Sequence, residues 1–326
     1  MSTWAPAQMP TDERWPWPIP FGWFALGWSG ELAVGDVHPR RVFGADTVLW
    51  RDANGEAHLH DAYCPHLGAH LGHGGSVQGC TIVCPFHAWA FDADGRNTDI
   101  PYSERTNAKA RLRTYPVIER NGLVMAWYHP HEHEPAWDVP EVPEFGNEGV
   151  GAEFSAPFTR QFEIATAWQE MAENGVDSAH FRYVHGTADV PILEAYDTDG
   201  PRSTMRSKQY FVTPRGTTEG RIDSDGYGPG FSVVRFSGIV ETLLLGCATP
   251  VERDRCEMRF TFCVRRFADD AVTSSVGEAF VNEVSRQLLE DKPIWEHKRY
   301  IDRPALADTD GPFTAFRRWA AQFYAA

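Results

Sequence analysis

Residues 64–91 read CPHLGAHLGHGGSVQGCTIVCPFHAWAF. Two short loops stand out: Cys64-Pro65-His66 and, after seventeen intervening residues, Cys84-Pro85-Phe86-His87. Each supplies one thiolate and one imidazole. Around them, Asn54-Gly55, Asp94-Gly95 and Asn121-Gly122 fall between strand-like runs, the punctuation expected of type I′ hairpins. The first third of the chain therefore reads as an all-β domain presenting two matched Cys/His loops.

Two thiolates and two imidazoles suit a [2Fe–2S] centre of the Rieske kind, with the cysteines on one iron and the histidines on the other. Two hairpin tips, each offering one donor of each type, satisfy both irons if they face each other. Histidine ligation makes such a cluster easier to reduce than an all-cysteine one, which suits an electron relay. A Cys₂His₂ zinc site is the competing reading, but zinc fingers usually group a Cys pair before a His pair, whereas the order alternates here. The plain alternative, buried cysteines beside surface histidines, leaves two matched Cys-Pro loops unexplained. His70 and His73 read as packing or hydrogen-bonding residues, since the C-x-H spacing selects His66. Cys80 reads as a structural thiol.

The 326 residues leave room for two domains, and 42% hydrophobic and 23% charged residues are ordinary for a globular chain. A formal charge of −15 argues against nucleic acid or an anionic membrane as the main partner. No apolar run is long enough to span a bilayer. The opening MSTWAPAQMPTDERWPWPIP is too polar and Pro-broken for a signal peptide, so a cytoplasmic location is expected. In a reducing compartment the six cysteines are not expected to form disulfides. Residues 129–149, HPHEHEPAWDVPEVPEFGNEG, read as an extended linker, with His129, His131 and His133 solvated rather than metal-binding.

Beyond the linker, Phe154, Phe158, Phe162 and Ile164 at even positions predict a half-buried strand. Thr166 and Gln169 match a capping box, so a helix is expected from about Ala167. Strand-like runs fill 208–266, and a second helix is expected over Gly277–Lys292, stopping before Pro293. This half is α+β, with an antiparallel sheet and two principal helices. The first helix carries AENGVDSAHFRYVHG, residues 172–186. On an unbroken helix His180 and His185 would diverge by about 140°. If both face one ion, the helix must end or bulge before His185. Asp177 and His180, three apart, would share a face. Non-haem Fe(II) sites use two histidines and one carboxylate. On the second helix Asp291 lies within about 20° of the apolar stripe Phe280, Val284 and Leu288, and Glu290 about 80° away. A carboxylate at the inward end of such a stripe is costly unless paired or bound to metal. An acidic residue at a frayed helix end is the alternative.

The loops C-P-H-L-G-A-H and C-P-F-H-A-W, followed by F-D-A-D-G at 91–95, resemble the cluster-binding loops of Rieske oxygenases. That family more often has Gly where Ala88 stands. E-N-x-x-D-x-x-H-x-x-x-x-H, from Glu173 to His185, resembles the family's mononuclear-iron motif. E-D-K-P-I-W-E-H-K, 290–298, resembles the segment whose third iron ligand stands four residues before Trp. The likeness runs from Phe21 to the C-terminus, and 294–319 looks most like the 3-ketosteroid 9α-hydroxylase and Neverland-type sterol desaturase branch, although this chain is shorter than typical steroid hydroxylases. The resemblance implies an N-terminal arm (1–20), an all-β Rieske domain (21–128), a linker (129–150) and a helix-grip catalytic domain (151–326). It implies Cys64, His66, Cys84 and His87 on the cluster, and His180, His185 and Asp291 on Fe(II). Asp177 would bridge the electron path, and Asn174 would sit close to the iron. It further implies a terminal monooxygenase component using O₂ on a small organic, steroid-like substrate, with electrons from NAD(P)H through a separate ferredoxin or flavin reductase, and a head-to-tail homotrimer. A demethylase or hydroxylase of a smaller aromatic or heterocyclic compound is the second reading, and a non-catalytic electron carrier fused to a ligand-binding domain is the third.

Overall fold

The computed structural model describes residues 14–146, 152–213 and 216–325. Asn121 and Gly122 both take positive φ, 56° and 75°, so the link between strands Val117–Arg120 and Leu123–Tyr128 is the expected two-residue turn. At the other two sites only the glycine is left-handed, and the loops are longer. There an aspartate side chain organises the turn: Asp52 Oδ1 accepts from the Asn54 and Glu56 N–H groups at 2.9 Å each, and Asp92 Oδ1 from that of Arg96 at 2.8 Å.

The first part forms three small antiparallel sheets. Gly22–Trp28 pairs with Leu123–Tyr128, closing residues 22–128 end to end. Thr81–Val83 and Ala90–Phe91 form the hairpin whose tip is the Cys84–His87 loop, while the Cys64 loop follows strand Ala57–Asp61. The second part is a seven-stranded antiparallel sheet in the spatial order 158–164, 255–264, 242–252, 232–237, 216–227, 202–213 and 192–199. Phe158, Phe162 and Ile164 pack into its core as their alternation predicts; Phe154 lies just outside the strand in an isolated bridge to Arg265.

Four α-helices accompany this sheet: α1 (Trp168–Ala172), α2 (Ala179–Tyr183), α3 (Asp270–His297) and α4 (Phe313–Ala320). Three expectations need correction. The capping box does not form: the α1 N-cap is Ala167, and the buried Thr166 hydroxyl has no partner among the described residues. The single helix expected over 167–185 is instead α1, a 3₁₀ turn over Glu173–Val176, an extended Asp177, and α2. Finally, α3 starts well before Gly277 and runs past Pro293. Asp269 caps it by accepting from Ala271 and Val272 N–H groups at 2.7 and 3.3 Å. Pro293 removes one N–H in the penultimate turn, but Leu289, four residues back, is on the exposed side, and burial of Trp295 holds the last turn down. The buried line of α3 is Thr273, Gly277, Val281, Ser285, Leu288, Asp291 and Trp295, at steps of three and four, with Phe280 and Val284 half-buried on its flank.

The linker is not solvated along its length. Val139 and Val142 are buried, Trp23 Nε1–H donates to the Trp137 carbonyl at 2.7 Å, and Asn121 bonds Pro140 and Val142. Residues 147–150 lie outside the described residues. One core joins the two parts: Trp23, Met125 and Trp127 pack with Phe231, Leu245 and Cys263, and Val139 and Val142 close the cluster. Thr249 Oγ1–H and Arg259 Nη1–H both reach the Ala25 carbonyl, at 2.7 and 3.0 Å. Of the N-terminal arm, residues 1–13 lie outside the described residues; Trp15 is buried, and Trp17 meets Tyr300 edge-on at 4.1 Å.

The C-terminal segment crosses the 3₁₀ turn so closely that a Cβ on Gly311 would stand 1.6 Å from the Val176 carbonyl oxygen. Nothing flexible can yield there, since the opposing atom is backbone. Gly311→Ala is expected to cost about 1–3 kcal/mol of stability in urea unfolding, because the 3₁₀ turn must shift. An unchanged midpoint would show that the segment is free to lift away.

Candidate metal centres and the cavity beside them

The two Cys loops share one backbone design. The Cys64 N–H bonds the Ala69 carbonyl and its carbonyl accepts from Gly68; the Cys84 N–H bonds Trp89 and its carbonyl accepts from Ala88. In both, the fourth residue after cysteine is left-handed: Gly68 at φ 77° and Ala88 at φ 57°. Gly68 adopts this without cost, whereas Ala88 carries about 1 kcal/mol of backbone strain. The Cys64 and Cys84 thiols are buried and hydrogen-bonded to each other. Burial, with the neighbouring thiol, raises the Cys64 pKa to about 11. The rings of His66 and His87 lie 4.7 Å apart, and His66 stacks on Trp89 at 4.3 Å and 5°. Trp89 is itself fixed by an Nε1–H bond to the Tyr102 hydroxyl at 2.7 Å. The buried Nδ1 of His87 has no partner among the described residues.

This donor set fits a cluster: two buried sulfurs would serve one iron and the paired imidazoles the other.

The second constellation forms around the break at Asp177. Its backbone is extended (φ −94°, ψ 95°), so Asp177 does not share a helical face with His180. Instead its Oδ1 accepts from the Ala179 and His180 N–H groups at 3.1 and 3.3 Å and starts α2. The Asp177 carbonyl accepts from His180 Nδ1 at 2.5 Å, which places the proton on Nδ1 and leaves Nε2 free. Burial lowers the His180 pKa, favouring the neutral ring that a metal binds. α2 ends at Tyr183, and the chain turns so that His185 comes back to 5.1 Å from His180, ring centre to ring centre. His185 Nδ1 lies 3.1 Å from Glu290 Oε2, and its Nε2 3.4 Å from Asp291 Oδ2.

His180, His185 and Asp291 thus bring one donor atom each within 4.8 Å of the others. Asp291 is 7% exposed, and burial pushes its pKa up to about 6 against the lowering effects of His185 and an Asn174 hydrogen bond. Two imidazoles and one desolvated carboxylate fit a divalent metal. The other tight group, Asp52, Glu56 and His58, is a turn in which Asp52 already accepts two backbone N–H groups. Five of the remaining sequence candidates behave plainly. His70 Nδ1 accepts from Gly72 N–H at 3.0 Å; Cys80 is exposed and receives a bond from Asn54; and Cys247, Cys256 and Cys263 are buried free thiols.

Residues 22–116 match the Rieske [2Fe–2S] domain, and residues 126–324 match the 3-ketosteroid 9α-hydroxylase C-terminal domain. The chain belongs to the Rieske non-haem iron oxygenases, in the 3-ketosteroid 9α-hydroxylase family. It is 31% identical to a 3-ketosteroid-9-alpha-monooxygenase oxygenase component of Rhodococcus rhodochrous, over 93% of this chain and 79% of the relative. It is 29% identical to the cholesterol 7-desaturase nvd of Bombyx mori, over 98% of this chain and 73% of that protein. Dicamba monooxygenase bound to dicamba shares the fold, with a TM-score of 0.73 at 18% identity over 93% of this chain and 96% of that one. The protein is therefore an oxidoreductase of the monooxygenase class, and its cofactors are a Rieske cluster and mononuclear iron with O₂ as co-substrate.

In this oxygenase a cavity of about 300 Å³ lies between the large sheet and the iron motif. Gly175 and Val176, from the turn that also carries Asn174, line it, and Trp168, Phe316 and Trp319 roof it from α1 and α4. The segment is clamped from behind. Arg317 reaches both Glu173 carboxylate oxygens at 2.7 and 3.1 Å, and Lys298 Nζ lies 2.8 Å from the fully buried Glu170.

Glu290, which the helical-angle argument leaves without a role, occupies the outer nitrogen of His185 and is itself paired with Arg286. Sequence carries no signal for this, because the contact depends on where the loop after α2 returns. Asp291→Ala is expected to empty the mononuclear site while leaving the cluster's visible absorbance intact. Glu290→Ala should weaken iron about 10–100-fold in chelator competition, by freeing the His185 ring. The reverse result, iron lost in Glu290→Ala and kept in Asp291→Ala, would move the carboxylate ligand to Glu290.

Proposed function

We propose that this oxygenase component acts on a small, largely apolar, steroid-like compound, using iron held by His180, His185 and Asp291. The Rieske cluster would be held by Cys64, His66, Cys84 and His87, in the division of arm, Rieske domain, linker and catalytic domain at 1–20, 21–128, 129–150 and 151–326. The convergence of His180 Nε2, His185 Nε2 and the Asp291 carboxylate beside an apolar cavity carries this reading. When bound, the mononuclear iron supplies O₂ activation at open coordination positions. The chain's own residues orient and exclude. The Asp177 carbonyl and Glu290 hold the protons of the two imidazoles on Nδ1, Asn174 fixes the Asp291 carboxylate, and the aromatic roof keeps water from the substrate face. The steroid-like class rests on the two relatives at about one-third identity or just below, whose names specify a ketosteroid and cholesterol.

Electrons are proposed to come from NAD(P)H through a separate ferredoxin or flavin reductase, in the cytoplasm, and to enter the iron site across a head-to-tail homotrimer through Asp177. Supporting this, Leu67, Phe86 and Tyr102 form an exposed apolar rim at the cluster histidines. Asp177 opens on a cleft edged by the exposed Tyr183, Ile301 and Leu306. An apolar rim and an apolar-edged cleft are the complementary faces that association would cover. No described helix is long and apolar enough to cross a membrane.

Asp177→Asn is a clean test, because the amide oxygen can still accept the Ala179 and His180 N–H bonds while the charge is lost. The variant should retain about three irons and two sulfides per chain, as in the parent, and should lose substrate-linked turnover with a surrogate reductase. Substantial retained turnover would exclude Asp177 from the path. About two irons per fully loaded parent chain would overturn the mononuclear site.

A further inference from the structure

The turn between strands Ala45–Arg51 and Ala57–Asp61 holds a second tight donor group. Asp52, Glu56 and His58 each bring one donor atom within 4.8 Å of the other two, as His180, His185 and Asp291 do. The two groups share a spacing: His58 Nε2 stands 3.5 Å from Asp52 Oδ2, and His185 Nε2 stands 3.4 Å from Asp291 Oδ2. Two donors about 2.0–2.1 Å from one tetrahedral ion lie about 3.4 Å apart. The contact is no substitute for a hydrogen bond, and His58 Nε2 is buried without a hydrogen-bond partner among the described residues.

The oxygens of the buried Asp52 are used unequally. Oδ1 takes both backbone N–H groups of the turn, those of Asn54 and Glu56, and Oδ2 is left facing His58. A ligating carboxylate is characteristically held this way, with one oxygen fixed by hydrogen bonds and the other presented. Trp50 packs on the His58 ring at 4.4 Å and fixes its plane. Glu56 adds a second carboxylate at the surface. Among the described residues, no lysine or arginine pairs with either acid, and Arg51, next in the chain, is committed to Glu119 through bonds of 2.6 and 2.8 Å. Two neighbouring carboxylates without a cation, beside an imidazole with an unused nitrogen, form a donor set suited to zinc.

The position of the turn gives such a site a task. It feeds strand Ala57–Asp61, which leads to the Cys64 loop. Across from it, Ala53 N–H bonds the Gly79 carbonyl at 2.9 Å, and Asn54 Nδ2–H bonds Cys80 Sγ at 3.0 Å. Gly79 and Cys80 form the tip of the hairpin of Ser76–Gln78 and Thr81–Val83, whose second strand leads to the Cys84 loop. A clamp on residues 52–58 therefore steadies the roots of both cluster loops.

We propose that Asp52 Oδ2, the Glu56 carboxylate and His58 Nε2 form a further divalent-metal site, one for zinc, that staples the turn supporting the two cluster loops. Three protein donors leave a position for water.

The test uses the full-length, iron-loaded protein with its cluster intact, dialysed against zinc chloride, with metals counted by elemental analysis. About one zinc per chain beyond the iron complement is expected. His58→Gln should weaken that zinc by at least about 100-fold, since even the partners behind metal ligands are worth about 10–100-fold. Glu56→Gln, at an exposed position that leaves the fold undisturbed, should weaken it in the same direction. Asp291→Ala should still take up the zinc, which separates this site from the iron position. Bound zinc should also slow the thermal loss of the cluster's visible absorbance in the parent and not in His58→Gln. Parent-like zinc affinity in both His58→Gln and Glu56→Gln, or loss of zinc on Cys80→Ser alone, would overturn the site. Bound zinc that leaves the rate of absorbance loss unchanged, or raises it, would overturn the stapling role.

Discussion

The catalytic half is organised around one unfavourable act: removing the Asp291 carboxylate from water. An ionised carboxylate loses several kcal/mol of solvation on burial, which pushes its pKa up to about 6, and His185 beside it offsets part of that cost. α3 nevertheless drives it inward. Gly277 lets the helix settle on Phe158 at the edge strand, and Trp295, one turn beyond Asp291, anchors the other end. His180 keeps Nε2 free because the Asp177 carbonyl holds the proton on Nδ1, and a divalent cation bound by the two imidazoles and the carboxylate would offset the buried charge.

The two metal centres differ in the way their tasks require. The loops bearing Cys64 and Cys84 bury their sulfurs and bring their histidines to an apolar surface, with Trp89 wedged against His66 and tied to Tyr102. That arrangement favours electron exchange with something docked outside. The side chains of His185 and Asp291 are buried, and the 3₁₀ turn ahead of Asp177 lines the apolar cavity. The shared core of Trp23, Trp127, Phe231 and Leu245 makes the two halves one body, so neither centre is set on a free-swinging module.

Cys64 with His66, Cys84 with His87, and His180 with His185 stand out in the sequence as candidate ligands because ligation favours particular residue types at narrow spacings, whereas Asp291 lies far along the chain and comes beside His185 only in the fold. The helix limits were less legible. Pro293 usually marks a helix end, yet an exposed carbonyl partner and one buried tryptophan suffice to carry α3 onward. Thr166 and Gln169 have the right letters for a capping box, but the backbone enters α1 at Ala167, Gln169 turns to Glu173, and the Thr166 hydroxyl finds no partner among the described residues. Val139 and Val142 were hidden in a Pro- and Glu-rich stretch whose average composition is that of a solvated linker; burial of two valines and Trp137 decides otherwise. The cavity was beyond reach altogether. Its wall is a set of small residues on strands far apart in the chain, and only the strand register brings Ser203 opposite Gly226 or Ser232 opposite Gly246.

The five-residue interval between His180 and His185 shows how local backbone chemistry creates a metal geometry that a regular helix forbids. Asp177 interrupts the helix in an extended conformation and then restarts it by capping α2 with its own carboxylate. The same residue's carbonyl holds the His180 proton, so helix initiation and tautomer choice are coupled in one position. α2 then lasts only to Tyr183, short enough for the chain to swing His185 back across the gap of about 140° that continuous helix would impose. Gly311, pressed against Val176, keeps the preceding turn from relaxing into regular helix. The segmented path from Trp168 to His185 is therefore the physical origin of the site, and the C-terminal segment that covers it shapes the site together with the candidate ligands.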